Sequence, residues 1–418
     1  MELHTTRLIR LPFNIYALLI SILSLLALTA SSSYAHTTRD LTIYLSADRS
    51  GAKASGNSIE QGIRTALDEI DYEIGDYKVS LKSFDHRGST PRAKRHLDAF
   101  LQDPTALALY GGLHSPPLLG TRDFINENKI LVMVPWAAAT PITRYPSAQN
   151  WIFRLSIDDS KAGHFITQQS VDKNKFKKVA LLLEDTGWGK ANHRTMISAL
   201  KDRQLSPASV TWFNWGISDS NARILMRNII QTGADSIFMV GNASEGNAFV
   251  KAMVSLPKEQ RLPIFSHWGI TGGDFAEQMA PGLLESIQLS FIQTTFSFMA
   301  PLSGFQQSVF DRASQLFPES IQNPQDIKAP NGFIHAYDLT RLLIAAINKN
   351  ALHDEMALNR NNIKSALENL NTPVQGLIKT YNRPFTTFSP NIPDAHEALD
   401  IDDFSMGHYG PNNEIILN

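Results

Sequence analysis

Short apolar runs alternate with stretches in which apolar positions recur every three or four residues. The first run, 41–47, predicts a strand, and Ile59, Ile63, Ala66, Leu67 and Ile70 share one face of a helix over about 57–70. A strand over 77–84, a helix over 90–102 opened by Thr90-Pro91, and a strand over 105–110 follow. Ser115 offers an N-cap oxygen and Pro116 suits a first helical position, so the next helix is expected from there to about Asn128, ahead of a strand over 130–134 that stops at Pro135. Residues 151–156 read as an extended crossing. The alternation then restarts, with helices over 160–172, 190–203, 221–232 and 244–254 and strands over 176–184, 209–214, 235–240, 262–266 and 285–289. Strict β-α alternation argues for a parallel, doubly wound sheet. Here it occurs twice, which predicts an α/β chain of two such lobes.

Beyond Gln293 the rhythm changes to helices over 304–316, 331–347 and 361–370, then a Pro- and Asn-rich tail with short strands around 377–381 and 404–409. The helices are expected to return to the first lobe and the tail to the second. The predicted division is 36–155 plus about 292–372 for lobe 1 and 156–291 plus about 373–418 for lobe 2, joined by a hinge of several crossings.

The amino terminus stands apart from this pattern. Arg7 and Arg10 precede an apolar run over 15–30, and Ser33-Tyr34-Ala35 supplies small residues for a cleavage site. Residues 1–35 therefore read as a secretory signal peptide, with a mature chain from about His36. The alternative, an uncleaved anchor, has a short run for a membrane span. Cysteine is absent from the chain, so there is neither a disulfide framework nor a lipid-carrying cysteine at the cleavage site. The expectation is a soluble periplasmic protein that is not a lipoprotein, held together by its core. The full chain carries a formal net charge of −2, and losing Arg7, Arg10 and Glu2 makes it one unit more negative. Nothing in that balance favours nucleic acid or an anionic membrane.

Candidate chemistry concentrates where strands end. Residues 110–141 hold two strand-to-loop junctions one βα unit apart: Gly111-Gly112-Leu113-His114-Ser115, and Trp136-Ala137-Ala138-Ala139-Thr140. Small residues, hydroxyls and free backbone N–H groups at the carboxyl ends of parallel strands suit a carboxylate or other small anion; tight turns alone are the plainer account. In the second lobe, Asp185-Thr186-Gly187-Trp188-Gly189 reads as a cleft-facing turn in which Trp188 is either a stacking surface or a packing residue. Asn192 and Ala191 break the dinucleotide and phosphate-loop patterns that Gly187-Trp188-Gly189-Lys190 superficially suggests. The loops 241–245 and 266–273 complete the second lobe's set, with Ser244 and Thr271 reading equally well as helix caps. No nucleophile elbow, metal-spaced histidine pair or cofactor fingerprint occurs, so no metal or cofactor is expected and an exported α/β enzyme is disfavoured.

These residues resemble the type I periplasmic solute-binding proteins, in the branch of leucine/isoleucine/valine receptors of ABC importers. The resemblance rests on Gly62-Ile63-Arg64-Thr65-Ala66-Leu67-Asp68-Glu69-Ile70, on Gly111–Ser115, on Ala138-Ala139-Thr140 and on Phe153-Arg154, in that order along the mature chain. It implies a monomeric receptor that closes two lobes on a small-molecule ligand and serves an inner-membrane permease, or a sensor kinase or chemoreceptor. By the same resemblance Ser115, Ala138 and Thr140 correspond to first-lobe contacts to a ligand carboxylate, Trp188 to an aromatic closing over the ligand, and Asn242 or Ala243 to a second-lobe contact. Trp268 stands where amino-acid receptors carry the acidic partner of the α-ammonium. With Trp136 and Trp188 it implies a cleft of flat aromatic surface, suited to an aromatic, amide-bearing or larger ligand.

Overall fold

The computed structural model describes residues 39–144, 149–280 and 282–418; the predicted signal peptide lies outside them. In the first part of the chain the elements are β1 (Arg39–Ala47), α1 (Lys53–Asp68), β2 (Glu73–Ile74), β3 (Tyr77–Asp85), α2 (Thr90–Gln102), β4 (Ala106–Gly111), α3 (Ser115–Glu127), β5 (Val132–Val134) and β6 (Ile152–Arg154). Their strands form one sheet in the order β2-β3-β1-β4-β5-β6, with β1, β4, β5 and β6 successively parallel. All of β4 and β5 and most of β1 are buried, so these strands read as continuous apolar runs rather than alternating ones. The expected crossing at 151–156 is partly a strand: Ile152–Arg154 pairs with β5, Val134 opposite Arg154, and the chain leaves the sheet only after it.

The second part runs α4 (Asp159–Thr167), which continues as a π-helical segment over Gln168–Lys173, then β7 (Val179–Glu184), α5 (Gly187–Lys201), β8 (Ser209–Phe213), α6 (Asp219–Gln231), β9 (Ser236–Val240), α7 (Ala243–Val254), β10 (Ile264–Ser266) and β11 (Leu289–Thr294). The strand expected at 285–289 thus lies further on. Leu284–Ser286 is a 3-10 turn, whereas Leu289–Thr294 is the segment with buried residues on both faces, paired to β10 on one side and to an antiparallel strand on the other.

The last part comprises α8 (Gly304–Leu316), α9 (Pro330–Ile347), α10 (Met356–Glu368), a small hairpin of β12 (Val374–Gln375) and β13 (Thr380–Tyr381), β14 (Phe404–Tyr409) and β15 (Ile415–Leu417). The second sheet has the order β15-β14-β11-β10-β9-β7-β8, antiparallel only where β14 and β15 join. Neither β2 nor β15 was evident from the sequence pattern, being too short to show periodicity.

Helix α9 is apolar nearly all round and lies against α1 so closely that a Cβ on Gly62 would meet the Phe333 carbonyl oxygen at 2.3 Å. The tail serves both sheets. Asp338, buried in α9, accepts from the backbone N–H groups of Leu377 (2.6 Å) and Ile378 (3.1 Å) and from Tyr381 Oη (2.7 Å), which ties the β12–β13 hairpin to α9. Burial pushes the Asp338 carboxyl up to about 6 in spite of these donors. Glu397 then bridges to Arg154 beside β6 before β14 and β15 enter the second sheet. Residues 40–418 form one compact unit, and one apolar core runs through both sheets, from Leu45 and Val134 to Leu183 and Phe404.

Candidate ligand cleft

The carboxyl ends of the parallel strands in the two sheets face each other. From the first come Leu113, His114, Ser115 and Pro116 after β4, and Trp136 and Ala138 after β5; from the second come Glu184, Trp188, Asn242, Trp268 and Gly269. The cavity they enclose is about 10 Å³, roughly the room for one water. Indoles fill the rest: Trp136 and Trp268 meet edge to face across the cleft, with centroids 6.3 Å apart at 63°. The halves also touch through Ser55 N–H to the Gly272 carbonyl (3.2 Å) and through Lys328 Nζ to Glu277 (2.8 Å).

On the first-lobe side, Ser115 is not the N-cap expected of it. His114 holds that position, and Ser115, the first helical residue of α3, accepts a hydrogen bond on its Oγ from Ala139 N–H (3.2 Å). That contact joins the two predicted junctions and leaves the hydroxyl hydrogen free to donate. Pro116 and Pro117 remove two of the N–H groups that a helix start ordinarily presents to an anion. The positive end of α3 therefore acts mainly through Ser115. Ala138 lines the cavity, but Ala139 and Thr140 face the other way: the Ala139 carbonyl accepts from Arg154 Nη1 (3.1 Å), and Thr140 Oγ1 donates to Asp158 (2.9 Å).

Behind that loop lies a buried charge cluster at the point where the chain leaves the first sheet. Arg154 is fully buried and donates to Asp158 and to Glu397 (3.0 Å), and Arg144 reaches Glu397 (3.1 Å) and Asp158 (3.5 Å). Although burial opposes its charge, the two guanidinium groups hold Asp158 below its ordinary range. The Phe153-Arg154 pair thus stands between the cleft loop and the tail.

On the second-lobe side, Trp188 lies in the first turn of α5, capped by Thr186, rather than in a free turn. Its Nε1 donates to Asp159 (3.3 Å), and its ring meets His267 edge-on at 5.0 Å. His267 Nε2 is 3.0 Å from the same Asp159, and both side chains are fully buried. Gly269 must lack a side chain, because a Cβ there would lie 2.5 Å from the Trp188 ring and 2.8 Å from the Gly241 carbonyl. Trp268 is packed between Trp136 and His335. Ser244 does not cap α7; Asn242 occupies its N-cap position, and the Asn242 amide donates to Glu184 (2.8 Å).

Glu184 is the cleft residue that sequence reasoning missed. It ends β7 with no exposed surface, accepting from Asn242 and from Thr186 Oγ1 (2.9 Å). Burial pushes its carboxyl up to about 7, against the lowering effect of its hydrogen bonds from Trp215 and Thr186, and nearby Glu245 adds to the rise. A lone Glu at the end of the run Val179–Leu183 was the available signal, since a carboxylate seldom ends a fully buried strand without a task. Glu245 is also buried, and among the described residues neither carboxylate has a cationic partner within 4 Å.

Toward solvent the cleft widens to a second space of about 160 Å³, bounded by Asp48, His114, Trp215, Glu245 and Gly272-Gly273. His114 Nε2 lies 3.1 Å from Asp48, whose carboxyl stays below its usual range despite burial because His114 and the backbone N–H groups of Gly51 and Ser50 donate to it. Trp215 reaches from the second lobe over His114, ring to ring at 5.2 Å.

Two doubly wound sheets facing each other across a small cleft, walled by indoles and a few polar side chains, define a two-lobed solute-binding architecture. The sequence matches the periplasmic binding protein family over residues 42–387, and the chain belongs to that family. Its fold is shared with a periplasmic binding protein type 1 from Bordetella pertussis Tohama I (TM-score 0.74, 17% identity, 91% of this chain and 99% of that one). It is likewise shared with the branched-chain amino acid transporter substrate-binding protein LivJ from Streptococcus pneumoniae, solved with isoleucine (TM-score 0.71, 17% identity, 91% and 100%), and with an R. palustris ABC-transporter solute-binding protein solved with 4-hydroxybenzoate (TM-score 0.71, 15% identity, 91% and 95%). No curated protein matches the chain in sequence. The family consists of solute-binding proteins rather than enzymes, and its name implies a periplasmic location. No helix among the described residues is long and apolar enough to cross a membrane.

Proposed function

We propose that this protein, exported by its signal peptide and released as a soluble periplasmic monomer, captures a small organic ligand between its lobes and delivers it to an inner-membrane ABC permease. The observation that carries the reading is the convergence of Ser115 and Ala138 with Trp188, Asn242 and Trp268 on a single cavity. Ser115, with its hydroxyl hydrogen free, receives the anionic end of the ligand; Trp136, Trp188 and Trp268 take its flat or apolar body. Lobe 1 in this reading is 36–155 with about 292–372, and lobe 2 is 156–291 with about 373–418, apart from the α9-bound hairpin.

The ligand class is an amino acid, an amide or a related carboxylate, and the aromatic wall favours a planar member. Relatives of this fold solved with 4-hydroxybenzoate and with isoleucine span that range. Because the cavity is so small with the lobes together, the ligand enters with the lobes apart and replaces the Trp136–Trp268 contact on closure.

A thermal-shift screen of amino acids, amides and aromatic acids tests this directly. A stabilising ligand should emerge whose shift disappears in Ser115→Ala combined with Trp188→Ala. An undiminished shift in that double variant would place the ligand elsewhere. Turnover of the bound compound would indicate an enzyme. Delivery to a sensor kinase would appear as ligand binding without uptake in cells.

A further inference from the structure

The charges of the cleft do not pair off. The titratable side chains lining its inner and outer spaces are Asp48, Arg87, His114, Glu184 and Glu245. His114 is matched by Asp48 at 3.1 Å, and Arg87 by Asp85 at 3.2 Å. Two carboxylates are left over, and both are buried: Glu184 at the end of β7 and Glu245 in the first turn of α7. Their partners are neutral donors, Asn242, Thr186 and Trp215 for Glu184 and the Gly216 N–H (3.0 Å) for Glu245. Burying a carboxylate without a cation is costly, and that cost is what pushes Glu184 up to about 7. Glu184 lines the inner space and Glu245 the outer, while His114 and Asn242 line both.

A second group in the same cavity also lacks its partner. Trp136 is almost wholly buried, and its Nε1–H has no acceptor among the described residues. The six-membered edge of that indole rests on Gly332, where a Cβ would lie 2.9 Å from it, so Nε1, on the opposite edge, is turned away from α9. With the free hydroxyl hydrogen of Ser115, the first lobe thus holds two buried donors that lack an acceptor. The second lobe holds two buried carboxylates that lack a cation. An ordered water can satisfy an orphan donor, but it brings no charge to a carboxylate. A metal ion does not fit either, since among the described residues no group of three or more His, Asp or Glu side chains could hold one.

We propose that the ligand is a zwitterion whose carboxylate meets Ser115 and Trp136 in the first lobe and whose cationic N–H group, at the far end of a flat body, meets Glu184 and Glu245 in the second. This rests on the proposed capture of a carboxylate between the lobes and narrows it. The cation does not take the place of an α-ammonium, where Trp268 presents an indole. Trp268 follows β10, and β9 stands between β10 and β7, which sets Glu184 two strand spacings away, roughly 10 Å. The nitrogen is therefore carried away from the carboxylate and toward the mouth, where Trp215 is an aromatic neighbour for a cation.

The test is calorimetric titration of the mature protein with two probes that have neutral tails, benzoate and 4-hydroxybenzoate, and two with cationic tails, 4-(aminomethyl)benzoate and 4-guanidinobenzoate. The cationic pair should bind about tenfold or more tightly, as a desolvated charge pair contributes. Glu184→Gln and Glu245→Gln each keep an acceptor for the existing hydrogen bonds, and each should erase most of that preference. Ser115→Ala should weaken all four probes alike, a division of effects that merely structural carboxylates would not give. Equal binding of the two pairs, or a preference untouched by both Gln variants, would overturn this inference and leave the cleft reading standing. Binding of none of the four would also overturn it, and the amino-acid and amide screen then decides the cleft reading by itself.

Discussion

Glu184 ties the pH behaviour of this protein to its cleft. Its carboxyl is raised from 4.5 to about 7 in the folded protein, principally by burial. The folded state therefore prefers the protonated form. Below pH 4.5 the group is protonated in folded and unfolded chains alike and affects stability little. Between 4.5 and 7 the unfolded chain ionises first, and stability falls as pH rises; above 7 the whole penalty is present. At about 1.4 kcal/mol per pKa unit, this shift corresponds to about 3 kcal/mol. Replacing Glu184 by Gln removes the ionisation and keeps the shape, and Asn242 accommodates the new amide by turning its own. Urea denaturation of the two proteins should give nearly equal stabilities at pH 4.5, with Glu184→Gln more stable by about 3 kcal/mol at pH 8.5. A difference that is flat across that range would refute a Glu184 proton held by burial. It would place the charge in a solvated or compensated setting instead.

Other substitutions probe the remaining parts. Ser115→Ala leaves the buried Ala139 N–H without its acceptor, so it should cost about 1–3 kcal/mol in denaturation as well as the ligand's thermal shift. Gly269→Ala forces a Cβ to 2.8 Å from a backbone carbonyl, and a loss of about 1–3 kcal/mol is expected, with weaker ligand binding because Trp188 is displaced. Arg154→Met leaves two buried carboxylates, Asp158 and Glu397, to the single guanidinium of Arg144, a change of the kind that costs about 3–5 kcal/mol; denaturation of Arg154→Met against a triple variant that also carries Asp158→Asn and Glu397→Gln should show most of the loss recovered. If Trp215 closes the outer cleft over His114, Trp215→Ala should speed ligand release in stopped-flow displacement and leave association nearly unchanged.

The alternation of buried strands with amphipathic helices was legible because each βα unit has its own period, and predicted elements such as 90–102 and 304–316 coincide with α2 and α8. Boundaries slipped where burial on both faces erased the period, as at β11. Site residues were legible in proportion to how local their roles are. Trp136, Ala138 and Ser115 line the cavity because strand ends place them there. Thr140 turned away because its hydroxyl meets Asp158, a partner supplied by the next crossing, and no local pattern reports that. Glu184 was hidden for the same reason: its donors come from the loops after β7, β8 and β9, which only the sheet order makes neighbours.

The indoles also make the molecule its own optical sensor. Of the chain's six tryptophans, Trp136, Trp188 and Trp268 are buried at the lobe junction and Trp215 stands half open at its mouth. Only Trp151 and Trp212 lie outside that region. Separation of the lobes would bring water to three indoles at once and shift the emission to the red, and a planar ligand stacked between them would quench it. Screening for the natural ligand can therefore proceed on unlabelled protein in a cuvette, with each candidate compound read from the colour and intensity of the protein's own light.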